Sequence, residues 1–370
     1  MKKNLQSILV VALTLITTVS YAQDWSIDSR TRIDMSGEGE KMSTDQRVTL
    51  GTTWGGSDWG IHLSTDVHYT LIDANTSARP TIGVYEAYAT TGLFGFANLT
   101  VGRKALEYGS GVWVSKNDWA DNINSERNTV EGMIFDIDND FVDLDLGISQ
   151  RDNGDGSEML DIMWLNASKS SGDWGINLLY SDVSNMTQVA MNDTTVVGVS
   201  TEAQAMGLDF SYTAMGGALD LAVSYNTLTV GDTEMDMTDI SGTYIVNDDM
   251  TVTAGRASYG EYGFDDFLGL GNRGAAGTNS WISHGNIGHL NPNDENMYIG
   301  ASYNMGSFSL GATMHTVSNT EIDSYERTAS EISIGYNLND NASLSYKMVS
   351  DNEGGEEDVN YNWLTLTITP

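Results

Sequence analysis

The sequence predicts an all-β chain, a transmembrane antiparallel meander β-barrel of about 18 strands. Three observations carry that reading. Apolar residues recur with period two, connections alternate between short and long, and aromatic residues gather at both ends of the apolar runs. Successive side chains of a strand point to opposite faces, so period two means one apolar face and one polar or small face. Hydrocarbon offers no partner to a backbone amide, so strands that cross it must close into a ring.

In chain order, Lys2 and Lys3 form a positive start, Ile8 to Ile16 an apolar run, and Ser20-Tyr21-Ala22 a small-x-small site. Residues 1–22 therefore read as a secretory signal peptide cleaved before Gln23, and residues 23–370 as the barrel. An uncleaved anchor is the competing reading, weakened by the short apolar run. No later segment approaches the roughly 20 apolar residues of a membrane helix. The first strand sets Trp25, Ile27 and Ile33 against Asp28, Arg30, Arg32 and Asp34. Next, Trp59, Ile61, Leu63, Val67, Tyr69 and Leu71 alternate with polar or small residues. Leu144, Leu146 and Ile148 oppose Asp143, Asp145, Gly147 and Ser149. The pattern returns in Trp174-Ile176-Leu178-Tyr180, Met206-Leu208-Phe210-Tyr212, Leu219-Leu221-Val223-Tyr225 and Phe308-Leu310-Ala312-Met314. No stretch has a helical period.

Short connections such as Gly55–Asp58, Asp138–Asp140 and Asn339–Asn341 alternate with long ones, chiefly 104–128, 182–203 and 259–295, with a lesser one at Thr229–Met237. Tight turns on one rim and long extracellular loops on the other suit an outer-membrane meander. Trp25, Trp54, Trp59, Trp164, Trp174, Tyr212, Tyr303, Phe308 and Tyr336 lie near the short-turn ends, and Tyr69, Tyr180 and Tyr225 near the long-loop ends. Two belts of this kind match two membrane interfaces. A secreted β-sandwich or propeller also alternates, but needs neither belts nor alternating loop lengths.

Composition excludes several function classes. Lys and Arg number 17 against 51 Asp and Glu, a net charge of −34. That balance excludes nucleic acid as a partner, which needs clustered cations. Zero cysteines exclude disulfides and thiolate chemistry. His62 and His68 share the polar face of one strand, and His284 and His289 read as polar loop residues in 259–295. Asp136, Asp138, Asp140, Asp143 and Asp145 superficially follow a calcium loop, but Phe141 replaces its turn glycine and Gly147 its last glutamate. No serine–histidine signature is evident, so no enzyme, cofactor or metal site is expected.

The segment Val101-Gly102-Arg103-Lys104-Ala105-Leu106-Glu107-Tyr108-Gly109-Ser110-Gly111, then Trp119 and Arg127-Asn128-Thr129-Val130-Glu131-Gly132, resembles the G-R-x-x-L-x-Y-G-x-G … W … R-x-x-[DE]-G core of alginate-export-like outer-membrane porins of Bacteroidota-type bacteria. Tyr262-Gly263-Phe264-Asp265-Asp266-Phe267 is similar to that family's Y-G-x-x-D-x-F stretch. The resemblance implies a barrel of about 18 strands that passes saccharides or other polar solutes. A polyanion such as alginate calls for a cationic lumen, and this chain offers few cations, so alginate itself is not taken as the cargo.

The expected function is a passive channel in the outer membrane of a Gram-negative bacterium, its partners lipid outside and small polar solutes or saccharides inside. A surface-binding or scaffold barrel is the alternative. Candidate pore residues are Arg30, Arg32, Arg103, Lys104, Arg127, Glu131, Asp143 and Asp145. Arg103 shares parity with Leu99 and Val101, and reaches the lumen only if Gly102 breaks the alternation or the strand ends there. The 104–128 loop is expected to fold partly into the lumen. Asp28, Asp34, Asp66, Asp143, Asp145, Asp161, Asp209 and Asp220 fall on the polar face, which favours cations or neutral solutes.

Overall fold

A computed structural model describes residues 22–36, 42–72, 80–116, 127–137, 139–152, 158–192, 195–264, 290–352, 355 and 357–370. The segment expected as a signal peptide, up to residue 21, Trp119, Asp265–Phe267, His284 and His289 lie outside the described residues.

The strands are β1 (Ala22–Asp34), β2 (Ser43–Gly55), β3 (Trp59–Ile72), β4 (Thr81–Leu93), β5 (Ala97–Lys104) and β6 (Val130–Ile137). They continue as β7 (Asp143–Asp152), β8 (Glu158–Ser171), β9 (Trp174–Asn192), β10 (Thr195–Ala214), β11 (Leu219–Val230) and β12 (Thr233–Asn247). The last are β13 (Met250–Tyr259), β14 (Asp294–Met305), β15 (Phe308–Asn319), β16 (Glu326–Asn339), β17 (Ala342–Asp351) and β18 (Val359–Ile368). All belong to one 18-stranded sheet. Consecutive strands pair antiparallel, and β18 pairs back onto β1 from Ser29↔Ile368 to Asp34↔Trp363. The ring is closed and leaves no free sheet edge along the paired registers.

Local chemistry accounts for the tight rim. Asn139 Oδ1 accepts the N–H groups of Phe141 and Val142, Asn247 Oδ1 that of Asp249, and Asn339 Oδ1 that of Asn341. An asparagine side chain that mimics a backbone turn fixes each bend. Where the backbone instead turns left-handed, glycine supplies the freedom, as in Gly216 and Gly217 at φ +67° and +98°.

Two connections differ from the sequence expectation. Segment 182–203, expected as a long loop, is largely paired strand: β9 and β10 pair from Tyr212↔Trp174 to Thr195↔Asn192, with a register shift between Thr195 and Val196. Likewise β11 and β12 run to Val230↔Thr233, so Thr229–Met237 collapses to a turn at Gly231, φ +61°. Above the hydrocarbon no face must be apolar, so pairing outlasts the alternation that marks a strand in sequence.

The outer surface carries the exposed apolar residues. Trp25, Trp59, Trp174, Tyr212, Tyr303, Phe308 and Tyr336 stand exposed toward the short-turn rim, and Tyr180 and Tyr225 toward the long-loop rim. Trp164 is a correction. It points inward, 7% exposed, and an added Cβ on Gly147 would meet its ring at 1.9 Å. The buried apolar cluster lies inside the ring toward the long-loop end, where Ile134, Leu179, Val183, Leu228, Met237 and Val317 face residues of the β5–β6 connection.

Candidate functional site: the barrel lumen

Strand alternation and cross-strand register fix which charges face inward. Arg30 on β1 stands opposite Arg47 on β2, which stands opposite His68 on β3. One pair further along, Arg32 faces Asp45, and on the other side Asp28 faces Thr49, itself opposite Asp66. The result is a cationic row on the β1–β3 wall with carboxylates on both flanks. Arg32 and Arg47 are buried.

Arg127, at the returning end of the β5–β6 connection, docks on that wall. Its Nη2 donates to Asp66 Oδ1 at 2.6 Å and its Nε to Asp66 Oδ2 at 3.1 Å, a two-pronged pairing. Nη2 also reaches Thr49 Oγ1 at 3.2 Å, while Thr49 donates to Asp66 Oδ1 at 2.7 Å. The Tyr85 ring lies 3.2 Å from the guanidinium carbon. Tyr85 is available because of a bulge: Ser64 pairs with Glu86 and Thr65 with Val84, so Tyr85 is the extra residue. Glu86 faces inward too. It takes the Ala105 N–H at 3.0 Å and lies 3.4 Å from His62, which stacks on Tyr88 at 4.9 Å.

Between these anchors, residues 105–116 lie inside the barrel. Trp113 is 2% exposed, donates from Nε1 to the Met206 carbonyl at 3.2 Å and packs on Phe264 at 4.8 Å. Trp113, just past the first stretch of the sequence resemblance, thus touches Phe264 of the second. Ser110 N–H donates to Asp209 Oδ2 at 3.0 Å, and its hydroxyl lies 3.1 Å from that of Ser224. Tyr108 OH accepts from Trp164 Nε1 at 3.3 Å and is hydrogen-bonded to Asp145. Burial first, and then the Asp145 charge, push the Tyr108 phenol well above its ordinary range, so it stays protonated.

Lys104 lies over the Tyr88 ring at 5.4 Å and lends its charge to Asp145, which faces Asp136 across the strand pair. Beneath the loop tip a cavity of about 440 Å³ is lined by Asp143, Ser168, Asn177, Asp209, Ser224 and Asp239. On the far wall Lys347 pairs with Glu331 at 2.9 Å, Glu331 holds His315 Nε2 at 3.1 Å, and His315 Nδ1 meets Asn296 at 3.2 Å. Asp351, fully buried, receives Arg327 Nε at 2.9 Å.

Of the residues singled out by sequence, Arg30, Arg32, Lys104, Arg127, Asp143 and Asp145 lie on the inner side. Arg103 and Glu131 do not. They oppose one another in register, share a face with Val101 and Met133, and form an ion pair on the outer side. Gly102, at φ +128°, bends the strand without reversing its alternation, because Lys104 still reaches Tyr88. Arg256 pairs outside with Glu295 in the same way. Asp161 also faces outward, beside Met163, and accepts from Gln150 at 2.8 Å. Arg47, Tyr85 and Glu86 went unnoticed in the sequence. Parity with Asp45 marks Arg47, but no sequence signal marks the bulge.

No protein-family model matches the chain, and no curated protein does. Among solved structures it is similar to OccK11 (OpdR) of Pseudomonas aeruginosa, at 12% identity and TM-score 0.64 over 94% of this chain and 95% of that one. It is similar to OccK5 (OpdH) of the same organism, at 12% identity and TM-score 0.65 over 94% and 97%. OccAB4 of Acinetobacter baumannii gives 12% and 0.62 over 95% and 99%. At this identity the likeness establishes the fold, a closed 18-strand antiparallel barrel of the outer-membrane porin type.

Proposed function

We propose that the chain is a passive, non-enzymatic channel of the Gram-negative outer membrane for small polar solutes, exported behind the 1–22 signal segment. The observation that carries this reading is the closed ring with an apolar, aromatic-belted exterior and a charged interior. An apolar exterior is stable only in lipid, and ionised inner side chains require water beside them. Among solutes we favour neutral polyols and small cations. The likeness of 101–132 to alginate-export-like porins supports saccharides, while the acidic majority disfavours polyanionic ones. Folded protein should show heat-modifiable mobility in detergent. In planar bilayers it should give stepwise ohmic conductance, and liposomes that carry it should swell in small sugars.

One observation favours a second reading, a scaffold or surface-binding barrel. The inner-facing Val183, Val317, Val349 and Asp351 toward the long-loop end are all 0% exposed, so that stretch of the inner wall is covered. A folded barrel that never conducts would select the scaffold.

A further inference from the structure

Two turns on the short-turn rim go against their local backbone preference. Among the described residues, three that are not glycine have positive φ: Phe94, Met215 and Asn293. Asparagine tolerates that region, whereas a bulky apolar side chain is strained in it. Phe94, at +52°, holds the first central position of the β4–β5 turn ahead of Gly95 at +76°, a place that favours asparagine or aspartate. Met215, at +54°, opens the left-handed bend at Gly216 and Gly217. Both side chains are also bare, Phe94 90% and Met215 69% exposed. Neither backbone nor water favours these residues, so their gain lies in a contact outside the chain.

Phe96, stacked on Phe94 at 6.3 Å, and exposed Phe141 in the β6–β7 turn extend the apolar rim. No polar collar parts this rim from the aromatic belt: Trp59 follows Asp58, Trp174 follows Asp173, and exposed Met305 pairs with Phe308 across the Gly306 turn. The apolar residues are spread over turns from β4–β5 to β14–β15, which suits a planar layer better than a single docked protein. Between them stand the exposed carboxylates of Asp58, Asp140, Asp173, Asp249 and Asp340. Lys169 brings a cation to the same rim, where its Nζ donates to the Phe141 carbonyl.

We propose that this rim docks on the inner leaflet of the outer membrane, on phospholipids whose headgroups carry a primary ammonium. Phe94, Phe96, Phe141 and Met215 enter the boundary between headgroups and acyl chains, where apolar surface is buried. The rim carboxylates lie at headgroup depth, accept hydrogen bonds from the ammonium groups and repel anionic headgroups. This rests on the membrane-barrel part of the reading above and is independent of conduction.

The chain has no cysteine, so F94C and M215C each offer one site for a polarity-sensitive fluorophore. In lipid nanodiscs, where both faces meet solvent, the two labels should be quenched by nitroxide-bearing phospholipids and shielded from iodide. A label at S57C, in the polar Gly55–Asp58 turn, is the aqueous reference. Urea unfolding from phosphatidylcholine vesicles should slow about threefold when phosphatidylethanolamine is added, and quicken when phosphatidylglycerol is added instead. D140N/D173N/D340N should abolish that ranking. F94N/M215N suits the left-handed backbone, so it should unfold no faster than wild type in detergent, yet faster from vesicles that contain phosphatidylethanolamine. A purely structural role would move both rates the same way. Labels open to iodide and untouched by lipid nitroxides overturn the proposal and leave the rim to a soluble partner. A headgroup ranking that survives in D140N/D173N/D340N overturns it too, as does F94N/M215N matching wild type in lipid. A chain that folds in no lipid overturns the membrane reading itself; a folded, lipid-embedded barrel with water-exposed labels overturns the rim surface alone.

Discussion

Arg127 joins the returning end of an internal loop to three strands at once. Its guanidinium satisfies Asp66 through two nitrogens, touches Thr49 on β2 and lies on the Tyr85 ring from β4. Truncation to alanine leaves the Asp66 carboxylate buried beside Thr49 without its counter-charge, a loss of about 3–5 kcal/mol for a buried pair broken on one side. R127K keeps a charge but not the two-pronged geometry, so it should recover only part of the stability. Urea unfolding from lipid vesicles should therefore rank wild type above R127K above R127A. D66N combined with R127A should cost less than the two single changes added together. Equal midpoints for R127A and wild type would contradict the clamp. Sequence alone located Arg127 as the place where the loop re-enters and placed Asp66 on the polar face. It could not join them, because their contact spans 61 positions of chain and depends on a bulge in a third strand.

Strands were the most legible elements, because lipid on one side and water on the other impose strict alternation. Legibility ended where one of those solvents was missing. Inside the long-loop half, packed loop replaces water, so Leu179 and Val183 face inward while Leu178 and Tyr180 face lipid. Trp164 follows the same rule: an aromatic residue near a strand end suggests a belt, yet this one serves the internal core. Beyond the lipid, β9 and β10 continue to pair where the sequence no longer keeps the strict alternation that marks a strand, so that stretch reads as loop. Between β4 and β5 the decisive feature is backbone geometry. Gly102 sits at φ +128°, and an added Cβ would lie 2.2 Å from the Ala87 carbonyl oxygen. G102A should cost about 1–3 kcal/mol through strain at that backbone position, visible as a lower refolding yield and a lower unfolding midpoint. Gly92, on the paired strand, has nothing within 4 Å of its would-be Cβ and no positive φ, so G92A is the matched control and should be close to neutral. Equal losses in the two variants would refute a local origin in Gly102.

At the scale of the whole molecule, the open question is which sign of charge governs the lumen. The net charge of −34 belongs to the entire chain, and much of it lies where it exerts no control over passage. Glu131, Asp161 and Glu295 face outward, and Asp66 and Asp351 are each neutralised by an arginine. The contest inside is between the Arg30–Arg47 row with Arg32 and the carboxylates Asp143, Asp145, Asp209 and Asp239 across the loop. Those arginines have carboxylates on both flanks, at Asp28 and Asp45, whereas among the opposing acids Asp145 has Lys104 beside it and the cavity neighbours Ser168, Asn177 and Ser224 are uncharged. The acidic side therefore projects the stronger field into the lumen, and low-dielectric walls focus it. Reversal potentials in a KCl gradient should report cation selectivity, with a permeability ratio on the order of 10 at low salt. The ratio should fall as the Debye length shrinks from about 30 Å at 0.01 M to about 3 Å at 1 M. Combining D143N with D145N should lower it, and replacing Arg30, Arg32 and Arg47 by glutamine should raise it. An anion-selective wild type would show that the arginine row controls passage, and would restore an acidic saccharide as a candidate cargo.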